Sequence, residues 1–364
     1  WQILSAIFAS GPTFVMFQPR RTRFATGLPM NAQLGLFPDE PTPAVAPIGP
    51  ADVPERLRSA ARRLPVSLRM GTSSWSFPGW SGIVYDRRAT ERTLARRGLE
   101  AYAAHPLLRS VGIDRTYYRT ISAEDFRAYA DSVPAAFRFL VTAERTLTSP
   151  LDPEARSVRV ENPRFLDAEY AKAEVVGPMM DGLGEKAGPL LFQFSPMSPG
   201  AVGGTDAFVD RLHDFLRALP AGPLYAVELR TPAFLGKGYA EMLEAAGAAH
   251  CYNVHPSMAP LDRQLGRISP FYQPALVVRW MLHDGLQYQV ARDRYEPFDR
   301  LVDEDRVSRE RIAVAVLDAL VAERSAFVIA NNKAEGSAPL SIFRLAERIA
   351  SWDAPAEGAG AGAS

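Results

Sequence analysis

The sequence has little cysteine, little lysine and no excess of either charge. Its 364 residues include a single cysteine, Cys251, so an intrachain disulfide and a cysteine-rich zinc module are both excluded. Basic and acidic residues number 41 each, which excludes a histone-like polycation and an acidic solvating tail. The rest of the composition is that of an ordinary globular protein. A reducing compartment is the simplest interpretation of the cysteine content, so we expect a cytoplasmic protein.

Residues 1–17 are largely apolar but lack the features of a targeting or membrane segment. Gly11 and Pro12 interrupt them, and the basic residues begin only at Arg20. A membrane span needs about 20 unbroken apolar residues, and a signal peptide carries its positive charge in front of the apolar run. We therefore predict no membrane association. Because the chain starts with tryptophan, we expect translation to begin at Met16 or Met30.

Proline density divides the chain. Six prolines lie between residues 38 and 54, and such density opposes both helix formation and strand pairing. Residues 354–364 are rich in alanine and glycine. We predict a flexible extension over residues 1–64, one folded domain over 65–352 and a disordered tail over 353–364.

Eight short apolar runs alternate with helical patterns across the predicted domain. Continuous apolar runs of this length are typical of parallel strands that are covered on both faces. The predicted strands are residues 67–71, 108–113, 137–141, 189–194, 224–229, 249–254, 275–280 and 326–330. Ser122, Thr205 and Pro163 are expected to begin helices and Gly247 to end one. The pattern predicts an α/β fold, a (β/α)8 TIM-like barrel; a doubly wound open sheet is the alternative, but it needs fewer strands.

Polar side chains gather where the predicted strands end, which is where barrel enzymes build their sites. Strand periodicity places Glu228 and Arg230 on one face and their apolar neighbours on the other. A helix-covered face would not accept these charges, so both should point into the barrel mouth. We interpret Glu228 as a general acid or base and Arg230 as an anion clamp, with Asp114 in the same catalytic set. The alternative is a Glu–Arg pair that only fills the top of the barrel.

Other residues at the strand ends form the predicted substrate-binding set. Its members are Trp75, Trp80, Tyr118, Gln193, Asn253, Arg279, Asn331, Asn332 and Ser337. The three aromatic residues could stack on a base or sugar at the rim, and Arg279 could help to hold an anion. The eighth loop, residues 331–339, offers Gly336 for a close backbone approach and Ser337 as a helix cap, which suits a phosphate. Plain helix capping is the alternative for this loop.

The sequence contains no motif for a nucleotide cofactor. The nucleophile elbow, the phosphate-binding P-loop and the glycine-rich dinucleotide fingerprint are all absent. The five histidines show no paired ligand spacing, although His255 with Asp114 and Glu228 leaves a divalent metal open. The sequence therefore identifies no cofactor.

The motifs at the strand ends resemble, in order, those of the YecE-like family, the domain of unknown function 72. Similar segments are GTSSWSFPGWSGIVY at 71–85, DRTYYR at 114–119, LFQF at 191–194, VELRTP at 227–232 and the asparagine pair with GSAP at 331–339. The resemblance spans most of residues 69–349 and implies a TIM-like barrel. Two departures are Asp114, where the family pattern has glutamate, and residues 279–282, which lack its Arg-x-His-Gly. The family has no settled activity, so the resemblance implies a fold and a pocket.

A second motif lies outside the predicted barrel. Gln33, Leu34, Leu36 and Phe37 resemble the Gln-Leu-x-Leu-Phe peptide with which bacterial replication and repair proteins bind the sliding clamp. The glutamine would be a polar anchor, and Leu36 and Phe37 would fill an apolar pocket when the segment folds on binding. The alternative is an N-terminal arm that packs on the barrel.

These observations lead us to expect a YecE-like barrel enzyme that binds a phosphate-bearing substrate, with nucleic acid in DNA repair or replication as the first candidate. One alternative is a non-catalytic barrel that binds nucleic acid or protein. Another is an enzyme acting on a sugar or sugar phosphate. The sequence alone does not decide whether the protein is an enzyme.

Overall fold

A closed ring of eight parallel strands forms the centre of the protein, in a computed structural model that describes residues 47–155 and 160–352. The strands are β1 Leu68–Thr72, β2 Ser110–Ile113, β3 Arg138–Thr142, β4 Ala187–Phe194, β5 Tyr225–Leu229, β6 Ala249–Val254, β7 Ala275–Trp280 and β8 Ser325–Ala330. Each strand pairs with the next along the chain, and β8 pairs with β1. The predicted (β/α)8 barrel is confirmed, and the open-sheet alternative is excluded.

Helices cover the outside of the barrel. Those of the described residues are α1 Glu55–Arg63, α2 Glu91–Arg97, α3 Leu99–Ala103, α4 Ala123–Asp131, α5 Ala168–Tyr170, α6 Gly177–Leu183, α7 Thr205–Ala218, α8 Lys237–Ala246, α9 Leu261–Arg267, α10 Tyr288–Tyr295, α11 Arg306–Val321 and α12 Ala338–Ala350. A π-helical turn, Ala171–Val176, joins α5 to α6. Single 3-10 turns occur at Pro78–Trp80, Asp114–Tyr117, Arg145–Leu147, Gly184–Lys186, Pro199–Val202, Pro232–Phe234 and Pro270–Tyr272. Among these helices, none is long and apolar enough to cross a membrane.

The local helix signals were mostly correct. The hydroxyl of Ser122 accepts a hydrogen bond of 3.1 Å from the backbone N–H of Asp125 and begins α4. Gly247 ends α8 with a φ of 65°, a left-handed conformation that glycine adopts without strain. Pro163 lies in a turn instead of beginning a helix. The next helix, α5, begins after Asp167, whose carboxylate accepts from two backbone N–H groups at 3.0 and 3.1 Å.

The prediction of a flexible extension up to residue 64 is wrong for residues 47–64. Helix α1 packs against α12 and buries Leu57, Ala60 and Ala61. Pro50 forms an isolated β-bridge with Tyr85. Pro54 directly precedes α1, where proline is tolerated because the first N–H groups of a helix have no intrahelical partner. The last prolines of this segment, Pro50 and Pro54, therefore belong to the folded domain and precede its first helix.

The predicted clamp-binding residues Gln33, Leu34, Leu36 and Phe37 lie outside the described residues, as do residues 353–364.

The barrel interior has an apolar layer below a polar one. The apolar cluster is Leu140, Leu191, Ala226, Ala249, Cys251, Val277 and Ile329. Side chains alternate along a strand, so a residue two positions further on faces the same side. Two positions beyond six of the cluster members, towards the carboxyl ends of the strands, stand Thr142, Gln193, Glu228, Asn253, Arg279 and Asn331. The strands thus present a set of polar side chains to the barrel mouth.

Candidate functional site

A cavity of about 530 Å³ lies at the carboxyl ends of the strands. This volume is within the range of pockets that bind small molecules, about 300–1,000 Å³. The residues of the predicted set that line it are Asp114, Tyr118, Gln193, Arg230, Arg279 and Asn331. Lining residues that the prediction did not include are Ser73, Arg115, Tyr117, Thr142, His255, Tyr288 and Lys333, among others.

Two guanidiniums and two carboxylates form the floor of this cavity. Arg279 donates from Nη1 to Glu228 Oε2 at 2.7 Å and from Nη2 to Asp114 Oδ2 at 2.8 Å. Arg230 donates from Nε to Glu228 Oε1 at 2.8 Å. Gln193 Oε1 accepts from Nη2 of Arg230 at 3.1 Å and from Nη1 of Arg279 at 2.7 Å. We call these five residues the floor network.

Glu228 keeps its charge although it is completely buried. Burial by itself would raise the pKa of this carboxyl, but Arg230 and Arg279 outweigh burial and lower the pKa to about 2. Both carboxylate oxygens already accept hydrogen bonds from arginine. A carboxylate in this state does not exchange protons near neutral pH, which argues against the predicted role of Glu228 as acid or base. The geometry makes it the residue that positions the two arginines.

Arg230 is the arginine of the floor network that reaches the cavity. Its side chain is 15% exposed, against 2% for Arg279. Beyond its bond to Gln193, its Nη1 lies 3.3 Å from Nε2 of His255. Each terminal nitrogen carries two N–H groups and makes one of these contacts, so one N–H on each is left for a ligand. The role of Arg230 as an anion clamp stays a prediction.

Asp114 is the carboxylate of the floor network that faces solvent. Its side chain is 31% exposed. Its Oδ1 accepts from the hydroxyl of Thr142 at 2.7 Å, and its Oδ2 accepts from Arg279. A carboxylate can accept about four hydrogen bonds, so Asp114 has capacity left for a ligand proton. Within the predicted catalytic set, Asp114 is therefore the better candidate for proton transfer.

His255 lines the cavity and was not in the predicted set. Burial lowers its pKa, and the charge of Arg230 lowers it further, to about 4. The ring is therefore neutral at neutral pH. Its Nδ1 lies 2.8 Å from the hydroxyl of Ser257. The signal that could have found it is strand parity, because it lies two residues beyond the inward-facing Asn253 at the end of β6.

Lys333 provides an ammonium group to the cavity wall. The residue is only 8% exposed, and its ammonium lies 4.3 Å from the ring centre of Tyr288. No carboxylate within the part of the chain that the structure describes forms an ion pair with it. The prediction missed Lys333 because it treated the eighth loop as a source of backbone amides.

Of the three predicted stacking residues, only Tyr118 lies at the rim. It is 68% exposed, and its ring packs edge-on against Tyr117 with 5.3 Å between centroids. Trp80 is fully buried, and Trp75 is buried edge-on against Tyr129. The placement of the two tryptophans at the rim is therefore wrong. Both are members of the main hydrophobic core cluster.

The two asparagines of the eighth loop have different roles. Asn331 lines the cavity, and its Nδ2 donates to Ser73 Oγ at 2.8 Å. Asn332 is buried, and its Oδ1 accepts from the backbone N–H of Ala338 at 2.8 Å, which caps α12. Ser337 is also buried and makes no side-chain cap. Asn332 and Ser337 therefore do not belong to the cavity, and the predicted capping residue was the wrong one.

The predicted phosphate site on the amides of the eighth loop is filled by protein. Gly336 has a φ of 118°, and a Cβ built there would lie 2.5 Å from the carbonyl oxygen of Arg300 and 2.9 Å from the amide nitrogen of Val302. The segment around Arg300 thus covers this turn, and only glycine fits beneath it. A phosphate cannot approach the loop from that side.

Asn253 supports the barrel wall. Its Nδ2 donates to the carbonyl oxygen of Leu229 at 2.9 Å and so links β6 to β5. It does not line the large cavity but a separate one of about 80 Å³. Its predicted contact with substrate therefore lacks support from this geometry.

No metal site is apparent within the described residues. No group of three histidine, cysteine, aspartate or glutamate side chains there is arranged to hold a metal ion. His255 does not complete a set with Asp114 and Glu228, since its Nε2 faces the guanidinium of Arg230.

Comparison with known proteins agrees with this description. A family model described as "Protein of unknown function DUF72" matches residues 69–359. A DUF72 family protein of Thermotoga maritima MSB8 is 18% identical, with a TM-score of 0.52 over 78% of this chain and 98% of that chain. A DUF72 family protein of Enterococcus faecalis V583 is 18% identical, with a TM-score of 0.49 over 79% of this chain and 96% of that chain. No curated protein matches the sequence. Since the family model spans well over half of the chain, this protein belongs to the DUF72 family.

Proposed function

We propose that this barrel is an enzyme that binds a phosphate-bearing substrate in the cavity, with a nucleotide unit of nucleic acid as the first candidate. The observation that carries the proposal is that Arg230 is held in place and still has free N–H groups. Its guanidinium is held by Glu228 and Gln193, is partly exposed, and keeps one N–H on each terminal nitrogen. Two N–H groups on one guanidinium match two oxygens of a phosphate.

The floor network prepares Arg230 before a ligand arrives. Gln193 accepts hydrogen bonds from both arginines through one oxygen, so its amide nitrogen is left as a donor in a residue that lines the cavity. Donors that are already fixed need no reorganisation when charge develops on a substrate. A phosphate bound to Arg230 would therefore meet an oriented site.

The size of the cavity limits what can enter. About 530 Å³ admits one nucleotide or a sugar phosphate but not an oligonucleotide. A nucleic acid would have to present a terminal unit or one turned out of the stack, and the exposed ring of Tyr118 offers a surface on which a base could stack. Asp114 would accept or return the proton, because it has unused acceptor capacity and lines the same cavity as Arg230. An enzyme for a free sugar phosphate fits the same cavity and is the second candidate.

Calorimetric titration of the full chain tests the proposal. The ligands are deoxyadenosine 5′-monophosphate, fructose 6-phosphate and a single-stranded oligonucleotide. Arg230→Gln should weaken every phosphate ligand that binds by about tenfold or more, in line with about 1.5–3 kcal/mol for hydrogen bonds to a charged group. Arg217→Gln, on an exposed part of α7, is the matched control and should change nothing. Absence of binding, or equal binding to the Arg230 variant, would overturn the proposal.

Two further measurements separate the candidate functions. Asp114→Asn should keep ligand binding and lose product formation if the barrel is an enzyme, whereas a binding protein has no turnover to lose. Oligonucleotide affinity that falls with the logarithm of salt concentration supports nucleic acid. Selective binding of fructose 6-phosphate supports the sugar-phosphate enzyme.

We also propose that Gln33, Leu34, Leu36 and Phe37 recruit the protein to a bacterial sliding clamp. A peptide of residues 30–40 should bind the clamp with micromolar affinity, about −8 kcal/mol, since the entropy lost when a peptide is ordered opposes the burial of two apolar anchors. Replacing both Leu36 and Phe37 by alanine should abolish binding. A peptide with Asp39→Ala is the control. Unchanged affinity of the double variant would overturn clamp recruitment.

A further inference from the structure

We infer that the cavity binds a substrate with two anionic groups, one at Arg230 and the other at Lys333. The inference rests on the proposed function, which assigns the first anion to Arg230. Both residues line the same cavity, Arg230 just after β5 and Lys333 just after β8.

Lys333 differs from the other lysines of the described residues. Lys172 lies 2.7 Å from a carboxylate oxygen of Glu169, and Lys237 lies 3.1 Å from one of Glu241. Lys186 donates to two backbone carbonyl oxygens at 2.6 and 2.7 Å. Only Lys333, among the lysines that the structure describes, has an ammonium with no oxygen partner.

The surroundings of Lys333 explain why a ligand oxygen is expected there. The residue is more than nine-tenths buried, so its stem is covered by protein while its charged end is directed to the cavity that it lines. The ring of Tyr288 holds the ammonium in this position through its π face. The ammonium keeps three donors and lines the cavity. An anionic ligand group is the partner that this position lacks.

The floor between the two cations is already neutralised. Arg279 is bound by the carboxylates of Asp114 and Glu228, so it offers no charge that a ligand must balance. Strands β5 and β8 are three positions apart in a closed ring of eight, which places Arg230, with its two free N–H groups, and Lys333 on different sides of the mouth. The positions of these donors, with the neutralised floor between them, suit a molecule with an anion at each end and a neutral body between them.

A sugar that carries a phosphate on each side has this chemistry. It occurs as a nucleotide unit within a strand, flanked by two phosphates, and as a free sugar bisphosphate. The two sources share the recognition chemistry and differ in whether a base is attached, so the ligands of the experiment must include both.

The experiment compares bisphosphates with monophosphates on the full chain by calorimetry. One pair is deoxyadenosine 3′,5′-bisphosphate with deoxyadenosine 5′-monophosphate, and the other is fructose 1,6-bisphosphate with fructose 6-phosphate. We expect the bisphosphate of one pair to bind at least tenfold more tightly, and that pair identifies the source. Lys333→Gln should remove this advantage and change monophosphate affinity less than twofold. Lys333→Arg should retain it, and Lys237→Gln is the exposed control.

The possible negative results distinguish a failure of the second anion site from a failure of the proposed function. Equal affinities within both pairs, or an equal loss for mono- and bisphosphate in Lys333→Gln, would overturn the second anion site while leaving Arg230 in place. Absence of binding by all four ligands would overturn the proposed function together with this inference. Thermal unfolding of each variant confirms that a lost advantage does not come from a lost fold.

Discussion

Glu228 and Glu335 are both completely buried and both contact arginine, yet their pKa values move in opposite directions. At Glu228, two guanidiniums outweigh burial and lower the pKa to about 2. At Glu335, which accepts from Arg309 and from the backbone N–H of Asp305, burial outweighs these contacts and raises the pKa. The number of cations on the carboxylate therefore decides in which direction the pKa of a buried glutamate moves.

The comparison also separates a ligand site from a structural ion pair. The arginine beside Glu335 has a second carboxylate, Glu304, at 3.1 Å, and Glu335 also accepts from the segment that covers the eighth loop. The arginine above Glu228 keeps N–H groups towards a cavity. A buried Glu–Arg pair is thus not in itself a sign of a site. The useful sign is an arginine that a glutamate holds in place and whose remaining N–H groups face a cavity.

Replacing each glutamate by glutamine should give the largest difference between the two regions. Glu228→Gln leaves Arg230 without a carboxylate partner and Arg279 with Asp114 alone, and breaking a buried pair costs about 3–5 kcal/mol. Glu335→Gln should cost only about 1–2 kcal/mol, because Arg309 keeps Glu304 as a partner. Urea unfolding at pH 7 measures both. An equal loss of unfolding free energy in the two variants would contradict the different roles of Glu228 and Glu335.

The pH dependence of stability should differ in sign. The folded pKa of Glu228, about 2, lies below the unfolded value of about 4.3, so its stabilisation is complete above pH 5 and is lost as the pH falls towards 2. The loss is about 3 kcal/mol and should vanish in Glu228→Gln. Glu335 has a raised pKa, so its contribution becomes more favourable on acidification. Unfolding series from pH 7 to pH 2 on wild type and both variants would show the two slopes, and an unchanged acid slope in Glu228→Gln would refute the assignment.

The cap of α12 allows a test with a smaller expected loss of stability in the region around Glu335. Asn332→Ala should cost about 1 kcal/mol, because its side chain accepts from the first N–H of the helix. Ser337→Ala should be close to neutral, since Ser337 makes no side-chain cap. Urea unfolding of the two variants compares them directly. A larger loss for Ser337→Ala would show that the capping residue has been misassigned.

The smallest expected effect is on the titration of His255. Its ring should titrate with a pKa of about 4, and in Arg230→Gln the pKa should rise towards the ordinary value of about 6.5, because one of its two main causes is removed. Glu335→Gln should leave it unchanged. NMR titration of the histidine ring protons resolves both cases, and an unshifted pKa in Arg230→Gln would mean that Arg230 does not act on this ring.

The barrel could be predicted from the sequence because its strands are covered on both faces and therefore read as unbroken apolar runs. The inward position of Glu228 and Arg230 followed from the two-residue period of a strand, and the structure places both there. Each inference needed only a local pattern within one element.

Residues two or more positions beyond a strand end could not be assigned in this way, because a loop has no period. Asn331 and Asn332 are neighbours, yet one lines the cavity and the other caps a helix. Trp75 and Trp80 follow β1 but pack on the barrel wall, since their large apolar surfaces gain more from burial than from the rim. Only the tertiary course of each loop decides these cases.

Gln193 uses only its Oε1 in the floor network, so replacing its amide nitrogen by an oxygen would change the charge of the floor and keep these hydrogen bonds. The two carboxylates and two guanidiniums of the floor network cancel, and the neutral amide between the arginines keeps that balance. A glutamate at this position would have the same shape and could accept the same two hydrogen bonds, but it would add a negative charge below the ligand. Gln193→Glu would therefore turn a neutral floor into a negatively charged one without a change in the shape of the cavity.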